Sequence, residues 1–160
     1  MSVVINGTGS ISGLSNVGGI SSAQSGSIIQ TVNATFSTEV SSSSSTFTDT
    51  GLSASITPLF STSSILVIAN IQGAKNGSTG LDLKVLRGST SIVQFAKNAG
   101  YTGASDYNII GSVSCGYLDA PATTSATTYK IQMASSLNAS LARINDNTQT
   151  STLTLMEISA

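Results

Sequence analysis

A chain of 160 residues can close one core, yet only 8% of these residues are charged, against roughly 25% in ordinary soluble proteins. A formal charge of −1 argues against nucleic-acid partners and acidic lipid surfaces, which are held chiefly by excess positive charge. With no histidine and one cysteine, Cys115, the sequence excludes Ser-His-Asp and Cys-His centres, ordinary zinc and iron sites, and an intrachain disulfide.

In chain order, residues 1–26 form the first unit. They carry no charged side chain, and Gly7, Gly9, Gly13, Gly18, Gly19 and Gly26 interrupt them. Ile11, Leu14, Val17 and Ile20 fall three apart, a spacing that fits neither a strand nor a helix but does fit an extended chain with one apolar edge. Such a segment buries little alone. The expectation is an N-terminal arm that docks on a neighbouring subunit or on another protein. It lacks the basic start and long apolar run of a secretory signal, and no segment of the chain approaches 18 apolar residues. The reading is therefore synthesis in the cytoplasm without membrane insertion.

Residues 27–160 form the folded domain. Ser27–Val40 alternates through Ile28, Gln30, Val32, Ala34 and Phe36 and reads as the first strand, followed by a five-serine loop, Ser41–Ser45, facing solvent. Thr46–Gly73 is the stretch around which the rest is organised. It reads as a short strand, a turn at Asp49-Thr50-Gly51, a strand Leu52–Thr57 ended by Pro58, and a loop Leu59–Ser63. Ser64–Gln72 is apolar enough to predict a central strand covered on both faces.

Asn76-Gly77 is the strongest hairpin signal, followed by Leu81–Leu86 with Leu81, Leu83 and Val85 inward. Arg87-Gly88-Ser89 turns the chain into Ser91–Phe95. Lys97–Asn108 is the longest polar insertion, with Tyr101 and Tyr107. Ile109–Leu118, Thr127–Ser135, Leu141–Ile144 and Thr152–Ile158 supply the remaining strands, with polar turns between them. No run repeats apolar residues at helical spacing over three turns. Short strands at this regular spacing predict an all-β fold, an antiparallel β-sandwich or jelly roll with an extended Gly-rich arm. Ile65, Val67, Ile68, Ile71, Leu83, Val85, Val113 and Leu155 are the expected core.

The seven carboxylates, Glu39, Asp49, Asp82, Asp106, Asp119, Asp146 and Glu157, lie in separate elements with no Asp-x-Asp cluster suited to calcium. Asp49, Asp119 and Asp146 sit where aspartate caps turns. The chain thus reads as a non-enzyme with no cofactor. Serine and threonine fill about a third of it, so hydroxyls rather than charges hydrate its surface, as suits a protein held in a large assembly.

Four segments carry a family resemblance: STFTDTGLSASITPLFSTSSILV (45–67), LKVLRGST (83–90), GYLDAPATTSATTYKIQ (116–132) and STLTLMEISA (151–160). Together they resemble the jelly-roll, C1q/TNF-like virion modules of tailed phages that infect marine bacteria and cyanobacteria, over residues 27–160. The Gly-rich leader is similar to the segments joining such modules to fibre shafts. Because it starts at Met1, the expectation is a single module without a long shaft. The resemblance implies a homotrimer located in the virion, in a tail fibre or appendage exposed to the host surface or, alternatively, in a capsid decoration protein. A soluble carbohydrate-binding module is the third reading. Partners are then other copies, a tail or capsid protein, and a host surface glycan or protein. The resemblance supplies no receptor residues. From the residues themselves, Tyr101, Asp106 and Tyr107 are the candidate host-facing loop, and Ile11, Leu14, Val17 and Ile20 the candidate docking edge of the arm.

Overall fold

Alternating apolar and hydroxyl residues give, in the computed structural model, strands and turns, with one short 3-10 turn among the described residues. Residues 25–137 and 140–160 are described, together with the backbone alone of two short strands, β1 (Val4–Ile5) and β2 (Ile11–Ser12), which pair antiparallel with each other. The expected period-three edge formed by Ile11, Leu14, Val17 and Ile20 lies outside the residues whose side chains are described.

The body comprises β3 (Ile28–Phe36), β4 (Val40–Ser42), β5 (Thr48–Ile56), β6 (Ser64–Asn76), β7 (Leu81–Arg87), β8 (Thr90–Ala99), β9 (Tyr107–Asp119), β10 (Thr127–Ser135), β11 (Leu141–Ile144) and β12 (Ser151–Ile158). β3 and β4 lie in tandem, as do β11 and β12, so eight strand positions share two antiparallel sheets. Numbered by first appearance, one sheet runs β3/β4, β12/β11, β6, β9, that is, first, eighth, third, sixth. The other runs β5, β10, β7, β8: second, seventh, fourth, fifth. This interleaving of early and late strands in both sheets is the jelly roll. It joins strands far apart in sequence, and no local signal encodes it.

The core lies between the sheets. Ile65, Val67, Ala69 and Ile71 of β6, with Leu153 and Leu155 of β12, meet Leu52, Ala54 and Ile56 of β5, Leu83 and Val85 of β7, and Tyr129, Ile131 and Met133 of β10. Six of the eight expected core residues are fully buried. Val113 is half-buried against the core, and Ile68 is on the wrong face. β6 is central, paired along both edges, but only one of its faces is covered: Leu66 and Ile68 point outward, half-exposed. Its apolar run predicts burial on both faces, whereas part of that run lines an outer surface.

Three turn readings also change. Thr46–Thr57 is not a hairpin but mostly one strand, β5, with a bulge. Ser53 pairs Lys130 while Asp49 pairs Gln132, and Gly51 absorbs the extra residues at φ 93°. A side chain at Gly51 would also meet the Phe36 ring at 2.9 Å. Asn76-Gly77 does turn, with Gly77 at φ 96°, but it carries the chain from one sheet to the other rather than closing a hairpin. The five-serine segment is partly structural: Ser41 and Ser42 belong to β4, and the Ser135 N–H donates to the Ser44 carbonyl at 2.8 Å.

Candidate functional site

The two ends of β6 define the two ends of the sandwich. At the Ser64 end, Ile158 pairs both Ser64 and Ile28, so the chain enters the domain and terminates here. The Gly26 N–H donates to the Ser159 carbonyl at 2.9 Å, and the Ser159 N–H donates to the Ser27 carbonyl at 2.9 Å. Asn76, at the other end of this 13-residue strand, pairs Tyr107 at the foot of the loop after β8. At a rise of about 3.3 Å per residue, roughly 40 Å separates the two ends.

The Ser64 end is held by two buried carboxylates. Glu157 is fully buried. Its Oε1 accepts the Leu59 N–H at 2.9 Å and the Phe60 N–H at 3.3 Å, and its Oε2 accepts Gln30 Nε2 at 2.5 Å. Burial alone would raise its pKa, but these bonds favour the charged form and hold it below the ordinary glutamate value. The loop after Pro58 is thereby pinned to the last strand, which gives two of the segments that carry the family resemblance a shared physical role. Asp119, also buried, accepts Arg87 Nη1 at 2.8 and 3.0 Å and the Tyr129 hydroxyl at 2.7 Å. Burial, then that carboxylate, pushes the Tyr129 phenol well up. Nothing in the sequence marks either carboxylate as internal, because each partner is at least ten residues away.

At the Asn76 end, the polar insertion is shorter than its sequence suggests. β8 extends through Ala99 and β9 starts at Tyr107, leaving residues 100–106 as the loop. Lys75 pins it. Its ammonium is buried, has no carboxylate partner among the described residues, and donates to the Gly77 carbonyl at 2.9 Å, to Thr102 Oγ1 and to the Ala104 carbonyl at 3.5 Å. The Gly77 N–H donates to the Asp106 carbonyl at 3.2 Å. Gly100, at φ 65°, leaves no room for a side chain, since a Cβ would lie 2.5 Å from Ile110.

Of the expected loop residues, Tyr101 is 46% exposed, Tyr107 is 48% exposed, and Asp106 is exposed. They do not form one cluster. Tyr107 belongs to β9, and its hydroxyl donates to the Asp146 carboxylate, which raises its pKa first through that bond and then through burial. Tyr101 stands at the start of the loop.

The outer sheet faces differ in chemistry. On the β5-β10-β7-β8 sheet, registered rows place Asp49, Gln132, Lys84 and Gln94 side by side, then Ser53, Lys130, Leu86 and Ser91. Lys130 Nζ lies 2.8 Å from Asp49, and Lys84 Nζ sits 4.2 Å from the Phe47 ring centroid. On the other sheet, the residues facing out between Ser64 and Gln72 and their cross-strand partners include no charged side chain. One row reads Thr31, Met156, Leu66, Leu118, flanked by Ile68 on one side and by Ile158 and Ile28 on the other. Leu118 and Ile28 are each 58% exposed. These apolar residues gather at the Ser64 end.

The described residues hold no group of three metal-ligating side chains. A depression of about 70 Å³ beside Asp49, Gly51 and Lys130 is far below the roughly 300 Å³ at which small-molecule pockets begin. Cys115 is buried, and burial pushes its thiol pKa up, away from reactivity. No described helix is long and apolar enough to cross a membrane.

No protein-family model matches the chain, and no curated protein matches it. Among solved structures, it is similar to the VP2 subviral particle of infectious bursal disease virus at 17% identity and a TM-score of 0.44, over 84% of this chain and 38% of that one. Similar too are T=1 particles derived from the same virus (18%, 0.44, over 92% and 41%) and its Gx strain (15%, 0.45, over 84% and 38%). The chain spans about two fifths of the length of each of these proteins. The jelly-roll assignment rests on the strand order rather than on these superpositions.

Proposed function

We propose that the protein is a structural component of a virion, and specifically a tailed-phage appendage or tail-fibre module that works as a homotrimer. The observation that carries the reading is the separation of its two ends. The chain joins the domain beside an uncharged, partly apolar sheet face, while the tyrosine-bearing loop lies roughly 40 Å away at a rise of about 3.3 Å per residue. In this reading residues 1–26 and the adjacent face attach the module to another virion protein. Tyr101, Asp106 and Tyr107 then face the host, where exposed tyrosines offer rigid amphipathic contact area to a surface glycan or protein. The sequence resemblance to phage jelly-roll modules supports the assignment to a tailed phage and sets the number of copies at three. A hydroxyl-rich exterior agrees with a role in contact.

Labelled copies imaged on assembled particles test the reading. Density at the tail supports an appendage, density over the head makes it a capsid decoration protein, and absence from particles rejects both. Replacing Tyr101 and Tyr107 by alanine is expected to leave assembly intact and to weaken adsorption to host cells. Adsorption equal to the parent's would remove the loop from the account.

A further inference from the structure

The turn between β11 and β12 meets Tyr107 on the outer surface, and its backbone is unusual. Asn145, Asn147 and Thr148 take φ 56°, 53° and 60°, all left-handed. Asn145 is buried, and its conformation serves the interior. Its N–H donates to the Gln72 carbonyl at 2.9 Å, its Nδ2 donates to the Thr38 carbonyl at 3.1 Å, and its Oδ1 accepts Ser151 Oγ at 2.5 Å. Asn147 and Thr148 are exposed instead, and a left-handed φ is a genuine outlier for β-branched threonine. That backbone presents two polar side chains beside one aromatic ring.

Asp146 ties the turn to the ring. Largely buried, it accepts the Tyr107 hydroxyl at Oδ2 and the Asn147 N–H at Oδ1, 3.0 Å away. Asn147 Nδ2 donates to the same hydroxyl at 3.4 Å. Tyr107 is nevertheless 48% exposed, and Ile109, two residues along the same strand face, is 44% exposed. Arg143 lies in register with Ala74 and Ile109, and its guanidinium pairs Glu39 at 2.8 Å. With Asp146, the surroundings hold one positive charge against two negative, which disfavours an anionic ligand. Arg143 Nε and Gln149 Oε1 have no hydrogen-bond partner among the described residues. One needs an acceptor and the other a donor, and a hydroxyl serves as either. Both atoms are shielded while the side chains that carry them are half-exposed, so rotation of those side chains brings them to a ligand.

We propose that Tyr107, Asn147 and Thr148 form a binding site for a neutral sugar, whose C–H face lies on the Tyr107 ring and whose hydroxyls meet the turn. A sugar matches this surface because it offers an apolar face with a rim of groups that both donate and accept. The inference rests on the host-facing role given above to Tyr107. It narrows the ligand to a neutral glycan and places the contact on the β11–β12 turn rather than at Tyr101.

The test applies the isolated full chain to immobilised neutral hexose and N-acetylhexosamine oligosaccharides, with sulfated and sialylated forms alongside. Saturable binding to at least one neutral oligosaccharide is expected. Tyr107→Ala and Asn147→Gly should each weaken it at least ten-fold, and Tyr101→Ala should leave it unchanged. Glycine suits a left-handed φ, so Asn147→Gly removes the amide and keeps the turn. No binding to any neutral oligosaccharide overturns the proposal, as does binding to the charged forms alone. Binding that survives Asn147→Gly, or that falls as far with Tyr101→Ala, also overturns it. Adsorption of particles to host cells reads the parent role separately. If Tyr107→Ala lowers adsorption while the isolated chain binds no neutral oligosaccharide, the sugar site falls and the host-facing role stands.

Discussion

The two outer faces of this sandwich are built from the same strand chemistry, yet they meet their surroundings differently. The β5-β10-β7-β8 face carries charges of both signs on registered neighbouring strands, among them Asp49, Asp82, Lys84 and Lys130, and is finished as a solvated surface. The β3-β12-β6-β9 face has hydroxyls, amides and a row of Met156, Leu66 and Leu118, with no charge from Ser64 to Gln72. In a chain with so few charges, their placement is informative. At least four of the thirteen lie on one sheet exterior and none on this part of the other. Both inner faces share one core, so the difference described here is one of the exteriors.

If the contrast is confined to the exterior, the interior should respond alike from either sheet. Leu83 under the charged face and Leu155 under the uncharged face are both fully buried. Leu83→Ala and Leu155→Ala are each expected to cost about 2–5 kcal/mol by leaving a cavity, read by chemical denaturation. A cost below about 1 kcal/mol at either site would mean that one inner face is not packed as described.

Glu157 comes next in size. Glu157→Ala leaves the Leu59 and Phe60 amides without their acceptor and should cost about 1–3 kcal/mol. The bonded carboxylate has a lowered folded pKa, so its contribution is complete above the unfolded value near 4.5 and is lost as pH falls through the lower folded value. Unfolding midpoints measured from pH 6 to pH 3 should therefore fall in the parent, with a smaller slope in Glu157→Gln. Identical slopes would remove Glu157 from the acid response.

The smallest effect belongs to the charged face. Asp49 is exposed, and its pKa is lowered by the bonds from Lys130 and then Gln132. Its contribution likewise holds above the ordinary aspartate value of 3.8 and fades as pH falls through the lower folded one. An exposed pair of this kind contributes roughly 0–1 kcal/mol, so Asp49→Asn should shift the midpoint little and less still at high salt. A larger loss would mean that the charged face holds the sheet together rather than finishing it.

Much of the fold was legible because period-two alternation survives in single segments. Leu81, Leu83 and Val85 of β7 and Tyr129, Ile131 and Met133 of β10 point inward as their spacing indicates. The errors share a physical source. The sequence places Ile68 in the core because an apolar run does not distinguish a second buried face from a partly exposed one. Gly51 reads as a turn in sequence because a glycine with positive φ serves bulges and turns equally. The interior polar groups could not be found at all. Lys75 sits in a segment that reads as an ordinary turn, and what buries it is a loop some 27 residues further on. The tyrosines of the candidate loop were visible by type, but the bond from Tyr107 to Asp146 spans 39 residues and left no local trace.

The claim that the uncharged face is a contact face is tested most directly by placing one charge on each exterior and measuring incorporation into particles. Leu118 and Ser91 are both exposed, on β9 and β8 respectively. Leu118→Lys and Ser91→Lys should each change stability by less than about 0.5 kcal/mol, as surface substitutions usually do. The account expects Ser91→Lys to incorporate like the parent and Leu118→Lys to be lost from particles at least ten-fold. Equal incorporation of the two variants would contradict it.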